Sequence, residues 1–174
     1  MTKGENKHIA NVSFITEIKD IITRTRQKAY SAINTAMVEA YWLIGRRIVE
    51  EEQGGTSRAE YGKQILKELS AELTKEFGKG FSVGSLYYYR QFYTTFPEIF
   101  ATPWRILSWS HYKRLMQVSD SEARDWYIKE ASEQMWSYRT LDRNISSQYY
   151  YRLLQSQNTQ SVKDEMIRIT TPYQ

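Results

Sequence analysis

Two acid-x-lysine triplets are the residues whose types and spacing come closest to a catalytic pattern. They are Glu5-Asn6-Lys7 and Glu17-Ile18-Lys19. Metal-dependent phosphodiester hydrolysis uses such a triplet after an aspartate on the preceding strand, so that carboxylates hold the metal and the lysine assists the attacking water. Here both triplets precede the first aspartate, Asp20, and the second lies in a helical pattern. The sequence therefore predicts no catalytic residue and no metal site in this chain.

The histidines and cysteines add no further chemistry. His111, within Ser108-Trp109-Ser110-His111-Tyr112, could act as an acid or base, but no carboxylate or nucleophile lies at a suggestive spacing. Because Ser108 is expected just before a helix, we favour a structural role in which His111 is satisfied locally. The chain has no cysteine, which excludes disulfides, a thiolate nucleophile and a cysteine zinc site. We predict no cofactor.

A glycine turn is the most informative local feature. Gly78-Lys79-Gly80 separates two helical patterns and is followed by Ser82, which can cap the second helix. A phosphate-binding loop would need a preceding strand, a longer glycine loop and a Lys-Ser/Thr pair, none of which is present. The turn instead favours a helix-turn-helix unit over residues 57–96.

The helix after the turn carries an unusual surface. Helical geometry places Leu86, Tyr89 and Tyr93 toward a core and leaves other tyrosines and Arg90 pointing outward. If this helix enters a DNA major groove, its early residues approach the bases, whereas lysine, serine and arginine side chains meet phosphates. A protein interface is the alternative, since exposed tyrosine and arginine suit it equally. The predicted DNA-binding residues are Lys79, Ser82, Val83, Ser85, Tyr87, Tyr88 and Arg90.

The elements that must position these residues are helical. Apolar periodicity and capping signals predict an all-α fold of about six helices, with a short hairpin near residues 98–107 as an optional wing. The first helix is long enough that it either breaks near residues 24–28 or packs against a partner. We predict a flexible arm at 1–13, one helical domain at 14–155 and a linker at 156–174.

Composition sets broad limits. The 174 residues suffice for one domain with a real core. A net charge of +4 tolerates a polyanionic partner without demanding one. Neither a membrane span nor a signal peptide is evident, so we predict a cytoplasmic protein with no membrane partner.

Several motifs occur together in an order that resembles the N-terminal domain of the bacterial YhcG-like family over roughly residues 14–155. They are Tyr61-Gly62, Phe77-Gly78-Lys79-Gly80-Phe81-Ser82, Phe92-Tyr93, Leu107-Ser108-Trp109-Ser110-His111-Tyr112, Trp136-Ser137-Tyr138-Arg139 and Tyr151-Arg152-Leu153. The resemblance implies a helix-turn-helix, optionally winged, DNA-binding module that precedes a PD-(D/E)XK nuclease-like domain. On this resemblance we expect that the sequence stops where the nuclease-like domain would begin, and that its last residues are the junction toward that domain.

The expected partners follow from the resemblance and the exposed tyrosine-rich helix. They are DNA, the C-terminal nuclease-like domain of longer family members and, in one alternative, a second copy of the chain. In that alternative the domain is an interaction or dimerisation module without direct nucleic-acid contact. Salt separates the two hypotheses, because DNA binding releases counterions and weakens steeply as salt rises, whereas apolar association persists.

Overall fold

The computed structural model describes residues 5–54, 58–101 and 107–173, and the side chains of these residues except 5–11 and 58–61. Across the described residues the fold is all-α, as predicted, and no strand is present. There are eight α-helices in this part of the chain rather than about six. They are α1 (Glu5–Gly54), α2 (Arg58–Phe77), α3 (Val83–Thr95), α4 (Trp109–Leu115), α5 (Ser121–Glu133), α6 (Tyr138–Ser146), α7 (Tyr149–Gln155) and α8 (Thr159–Thr170).

The chain divides into two compact units, Met1–Met37 and Val38–Gln174. The first unit consists of the N-terminal part of α1, which continues as a helix through residues 24–28 without the break considered above. Its described side chains from 12 to 33 are all exposed. The predicted flexible arm at 1–13 overlaps the start of α1 at Glu5, and its mobility stays a prediction.

The second unit is built around an aromatic core. Phe92 of α3 and Phe96, which follows the end of α3, pack on Tyr112 of α4, with ring centroids 4.7 and 5.6 Å away. Tyr127 of α5 is buried, and its hydroxyl donates to the carbonyl of Asn144 and accepts from the amide of Tyr150. Because a buried hydroxyl needs partners, these bonds join α5 to α6 and α7. Of the tyrosines that helical spacing predicted to face a core, Tyr89 is buried and Tyr93 is half-buried.

A second, smaller cluster holds α2 and α3 against the C-terminal part of α1. Its buried members are Ile48, Leu66, Leu86 and Tyr89. Tyr89 stacks on Tyr41 with ring centroids 4.3 Å apart, and burial raises the pKa of Tyr89. The Tyr89 hydroxyl also donates to the carbonyl of Gly80 at 3.0 Å. The cluster thus fixes the glycine turn as well as α3.

The glycine turn has the predicted geometry. Gly78 and Gly80 have φ of +78° and +123°, a region that glycine adopts without steric cost. Ser82 caps α3 by accepting a hydrogen bond from the amide of Ser85 at 3.2 Å. Phe81 packs against the second cluster, whereas Phe77 is exposed and contacts only Phe81 among the rings described. Phe81 therefore anchors the glycine turn in the core, whereas Phe77 does not.

Two differences account for the extra helices. Helical periodicity over residues 138–155 predicts one helix, whereas the structure has two, α6 and α7, which are separated at Gln148 with its φ of +55°. Residues 156–174, predicted as a linker, contain α8, because Met166 and Thr170 are buried against the core formed with α6 and α7. That these residues lead toward a further domain stays a prediction. The predicted hairpin near 98–107 falls largely outside the described residues, and Ile99–Ala101 form a short 3-10 helix.

None of the described helices combines the length and the apolar character that crossing a bilayer would require.

Candidate nucleic-acid interface

The exposed side of α3 carries most of the predicted DNA-binding residues. Tyr87 and Tyr88 are exposed, as helical spacing predicted, and Val83 is exposed one turn earlier. Lys79 is exposed in the glycine turn. Among the described residues, Lys79 and Tyr88 have no hydrogen-bond or ion-pair partner. These side chains are therefore available to an external ligand.

The two predicted serines are engaged within the turn. Besides capping α3, the Ser82 hydroxyl lies 3.0 Å from that of Ser85. Ser82 is exposed and Ser85 is half-buried. The main role of both hydroxyls is therefore to stabilise the start of α3. Of the two serines, only Ser82 is exposed enough to make an additional contact.

Arg90 has a structural partner that the sequence did not reveal. Its Nε donates to Glu52 at 2.6 Å, and the side chain of Glu52 is only 14% exposed. A Cβ added to Gly62 would lie 2.9 Å from Glu52 Oε1, so the absence of a side chain at Gly62 leaves room for this carboxylate. Removing Arg90 would strand a buried charge. We therefore interpret Arg90 first as the residue that neutralises Glu52.

A polar concavity of about 640 Å³ adjoins α3. Tyr88 contributes one wall. The other walls come from α4, from Gln117 just after α4, and from α6. The additional lining residues are Ser110, Lys113, Arg114, Gln117, Tyr138 and Asp142. Of the predicted site residues, only Tyr88 lines this concavity. The structure thus adds a second surface to the one expected from sequence.

One arginine organises the floor of the concavity. Arg114 donates through Nε to Asp142 at 2.6 Å, through Nη1 to Gln117 at 3.2 Å and through Nη2 to Ser146 at 3.3 Å. The arginine side chain is 19% exposed, so its charge is largely committed to this network. Lys113, by contrast, is exposed and has no partner among the described residues. Lys113 is therefore the free cation of the concavity.

Sequence reasoning did not identify these additional residues of the concavity. Lys113 and Tyr138 are 25 residues apart in sequence and line the same concavity because α4 packs on α6. The signal available in the sequence is the set of arginines at 139, 143 and 152, among which Asp142 is the only acid. Arg139 and Arg143 are exposed, whereas Arg152 pairs with Glu165 at 2.5 Å. Neither Arg139 nor Arg143 lines the concavity.

His111 has the structural role that we favoured. It is buried, its Nδ1 lies 2.5 Å from the Ser108 hydroxyl, and its Nε2 lies 3.0 Å from the Trp136 carbonyl. Because a carbonyl only accepts, Nε2 must donate and Nδ1 accepts from Ser108 in the neutral ring. His111 thus joins the start of α4 to the segment before α6. No cluster of potential metal ligands occurs in the part of the chain that the structure describes.

The described residues form a helical domain with a polar, partly basic concavity on its surface. Comparison with known proteins specifies the class further. The family described as "DUF1016 N-terminal domain" matches residues 17–152, and the chain belongs to this family. A relative in Escherichia coli (strain K12), named "Putative nuclease YhcG", is 34% identical across 78% of this chain. The aligned region is 44% of that relative, so this chain spans about half its length. No solved structure matches the chain.

Proposed function

We propose that this domain binds DNA and positions a nuclease-like domain that follows it in longer members of the family. The observation that carries the proposal is the exposed surface of the glycine turn, α3 and α4, where Lys79 and Lys113 lack intramolecular partners among the described residues. Cations that the fold leaves unpaired are available for phosphates, which dominate the affinity of protein–DNA complexes. The relative's name, which contains the word nuclease, agrees with a nucleic-acid substrate.

In this proposal α2 and α3 act as a helix-turn-helix unit. The N-terminal half of α3 would approach base edges, through Val83, Ser85, Tyr87 and Tyr88. Lys79, Ser82 and Lys113 would contact the backbone, which positions the helix without reading sequence. Arg90 supports α3 through Glu52 and is left out of the contact set.

Replacing Lys79 and Lys113 by alanine should weaken duplex binding and its salt dependence together. Each lost phosphate contact reduces the magnitude of the slope of log K against log salt by about 1. The slope of the double variant should therefore be smaller in magnitude by about 2. Fluorescence anisotropy of a labelled duplex over a salt series measures both quantities. Both lysines are exposed, so the fold should be unaffected.

Lys129→Ala/Lys163→Ala is the matched control. These lysines are equally exposed, on α5 and α8, and neither lines the concavity. The control removes the same net charge and should lower the slope by clearly less than the test variant. Equal losses in the two variants would mean that net charge, and not this surface, governs binding.

An interaction module is the second candidate, and the N-terminal part of α1 favours it. Helical spacing places six large apolar residues on one face, all of them exposed. Soluble monomers rarely expose a contiguous apolar surface of this kind. These residues are Phe14, Ile15, Ile18, Ile21, Ile22 and Ile33. Self-association through this face is compatible with DNA binding, since helix-turn-helix proteins often act as dimers.

Sedimentation velocity tests the second candidate. The unmodified chain should sediment as an oligomer whose stability persists as salt rises, and Ile18→Asp/Ile22→Asp should shift it to the monomer. Thr16→Asp/Thr23→Asp introduces the same charge on the opposite face of the helix and should leave the oligomer intact. A wild-type chain that is monomeric at micromolar concentration would remove this candidate.

A further inference from the structure

We propose that the concavity between α3, α4 and α6 binds one unpaired nucleotide of the DNA. The inference rests on the proposed DNA-binding function and assigns the substrate feature that this surface recognises. A concavity of about 640 Å³ lies within the usual range for small-molecule sites, so a nucleoside with its phosphate can enter it. A paired base cannot enter without leaving its stack.

Two aromatic rings offer stacking surfaces. Tyr88 on α3 and Tyr138 on α6 both line the concavity and are 41% and 42% exposed. The rings of Tyr138 and His111 are perpendicular, with centroids 6.2 Å apart, and Tyr88 has no ring partner among the described aromatics. Exposed tyrosine rings that are not consumed by the core are the usual platforms for unpaired bases.

The wall formed by α4 can hold a phosphate. Lys113 provides an ammonium group and Ser110 a hydroxyl, and neither has a partner in the described part of the chain. They lie three residues apart on one helix, which places them on the same face. A cation beside a hydroxyl donor is the chemistry that anchors a single backbone phosphate.

The floor can contact the edge of the base. Asp142 uses Oδ1 for Arg114, which leaves Oδ2 without a partner among the described residues. Because the arginine already holds the carboxylate in place, little side-chain entropy is lost on binding. The carboxylate can therefore accept a hydrogen bond from the exocyclic amine of cytosine, adenine or guanine. Gln117 accepts from Arg114 through Oε1 and retains its amide donors. Thymine lacks an exocyclic amine and should be bound less tightly.

The test compares a labelled duplex with the same duplex carrying one extra, unpaired adenosine, both titrated with the whole chain. Because base stacking on an aromatic side chain is worth about 1–3 kcal/mol, we expect the bulged DNA to bind about tenfold more tightly. An unpaired thymidine in the same position should give a smaller gain. Equal gains for the two bases would overturn the contact to Asp142.

Tyr138→Leu is the decisive variant. It should abolish the preference for the bulged DNA and change duplex affinity less than twofold, because Tyr138 lies outside the α3 surface. Tyr88→Leu should lower the preference as well. Tyr30→Leu removes an exposed tyrosine of the first unit and should leave both affinities unchanged. Thermal unfolding verifies that the variants fold, which their exposure favours.

The outcomes separate this inference from the proposed function. Salt-dependent binding of both DNAs with equal affinity would overturn the unpaired-nucleotide site and leave DNA binding intact. Absence of binding to either DNA at low salt would overturn both. A competition experiment with adenosine monophosphate gives the last outcome. If the free nucleotide displaces the bulged DNA when the two are at similar concentrations, the concavity is a site for a free nucleotide and the inference is overturned.

Discussion

Replacing Gly45 by alanine is expected to lower the free energy of unfolding by about 1–3 kcal/mol or more, although alanine is the better helix former. Gly45 lies where α1 crosses α3, and a Cβ built on it would stand 1.9 Å from the carbonyl oxygen of Tyr89 and 2.6 Å from its carbonyl carbon. Both contacts are to backbone atoms, so no rotamer change relieves them. The two helices must separate instead.

That separation should propagate to the proposed DNA surface. Tyr41, one turn before Gly45, stacks on Tyr89, and Tyr89 in turn holds Gly80 through its hydroxyl. When α3 is displaced, the stack and the hydrogen bond to the glycine turn are strained together. Gly45→Ala should therefore also weaken DNA binding without altering any residue on the binding surface.

Chemical denaturation with urea measures the loss, and Gly84→Ala supplies the control. The nearest heavy atom to a Cβ at Gly84 is the Ser82 hydroxyl at 3.9 Å, an ordinary contact. Because alanine favours helix by up to about 1 kcal/mol over glycine, Gly84→Ala should be neutral or stabilising. A similar stability for the two variants would mean that α1 and α3 are not in contact at this crossing.

Local signals in the sequence sufficed for most helix boundaries. Ser82 and Gly78 mark the turn through side-chain capping and positive φ, which depend on neighbouring residues only. The structural role of His111 was also readable, because Ser108 lies three residues before it. The division at Gln148 was not, since its positive φ is imposed by packing rather than by a glycine.

The residues of the proposed binding surface could be predicted from the sequence only in part, because packing between distant segments brings them together. Tyr88 followed from helical spacing, whereas Lys113 and Tyr138 join it through the packing of three helices. Arg90 was expected to reach a phosphate, yet Glu52, which is 38 residues earlier, holds it in place. Contacts at such separations leave no periodic signal in one sequence. Residue type alone therefore could not separate a free cation from one that the fold neutralises.

Raising the pH above 10 should unfold the protein through its buried tyrosines. Burial raises the pKa of Tyr112 to about 12 and also raises the pKa of Tyr127, whereas both should titrate near 10 in the unfolded chain. Between these values the folded state keeps protons that the unfolded state releases, so stability falls as pH rises. Below pH 10 the contribution is fully present. For Tyr112, two pKa units correspond to about 3 kcal/mol lost by pH 12.

Tyr112→Phe isolates this effect. Its hydroxyl accepts a long hydrogen bond of 3.4 Å from the Leu107 amide, so removing it should cost no more than about 1 kcal/mol at neutral pH. Urea unfolding at a series of pH values from neutral to 12 measures the effect. The free energy of unfolding of Tyr112→Phe should fall less steeply at alkaline pH than that of the unmodified chain. Parallel declines would mean that Tyr112 ionises as easily in the folded protein as in the unfolded one. Since Tyr112 packs on Phe92 and Phe96, such a result would also place water in the core that supports α3.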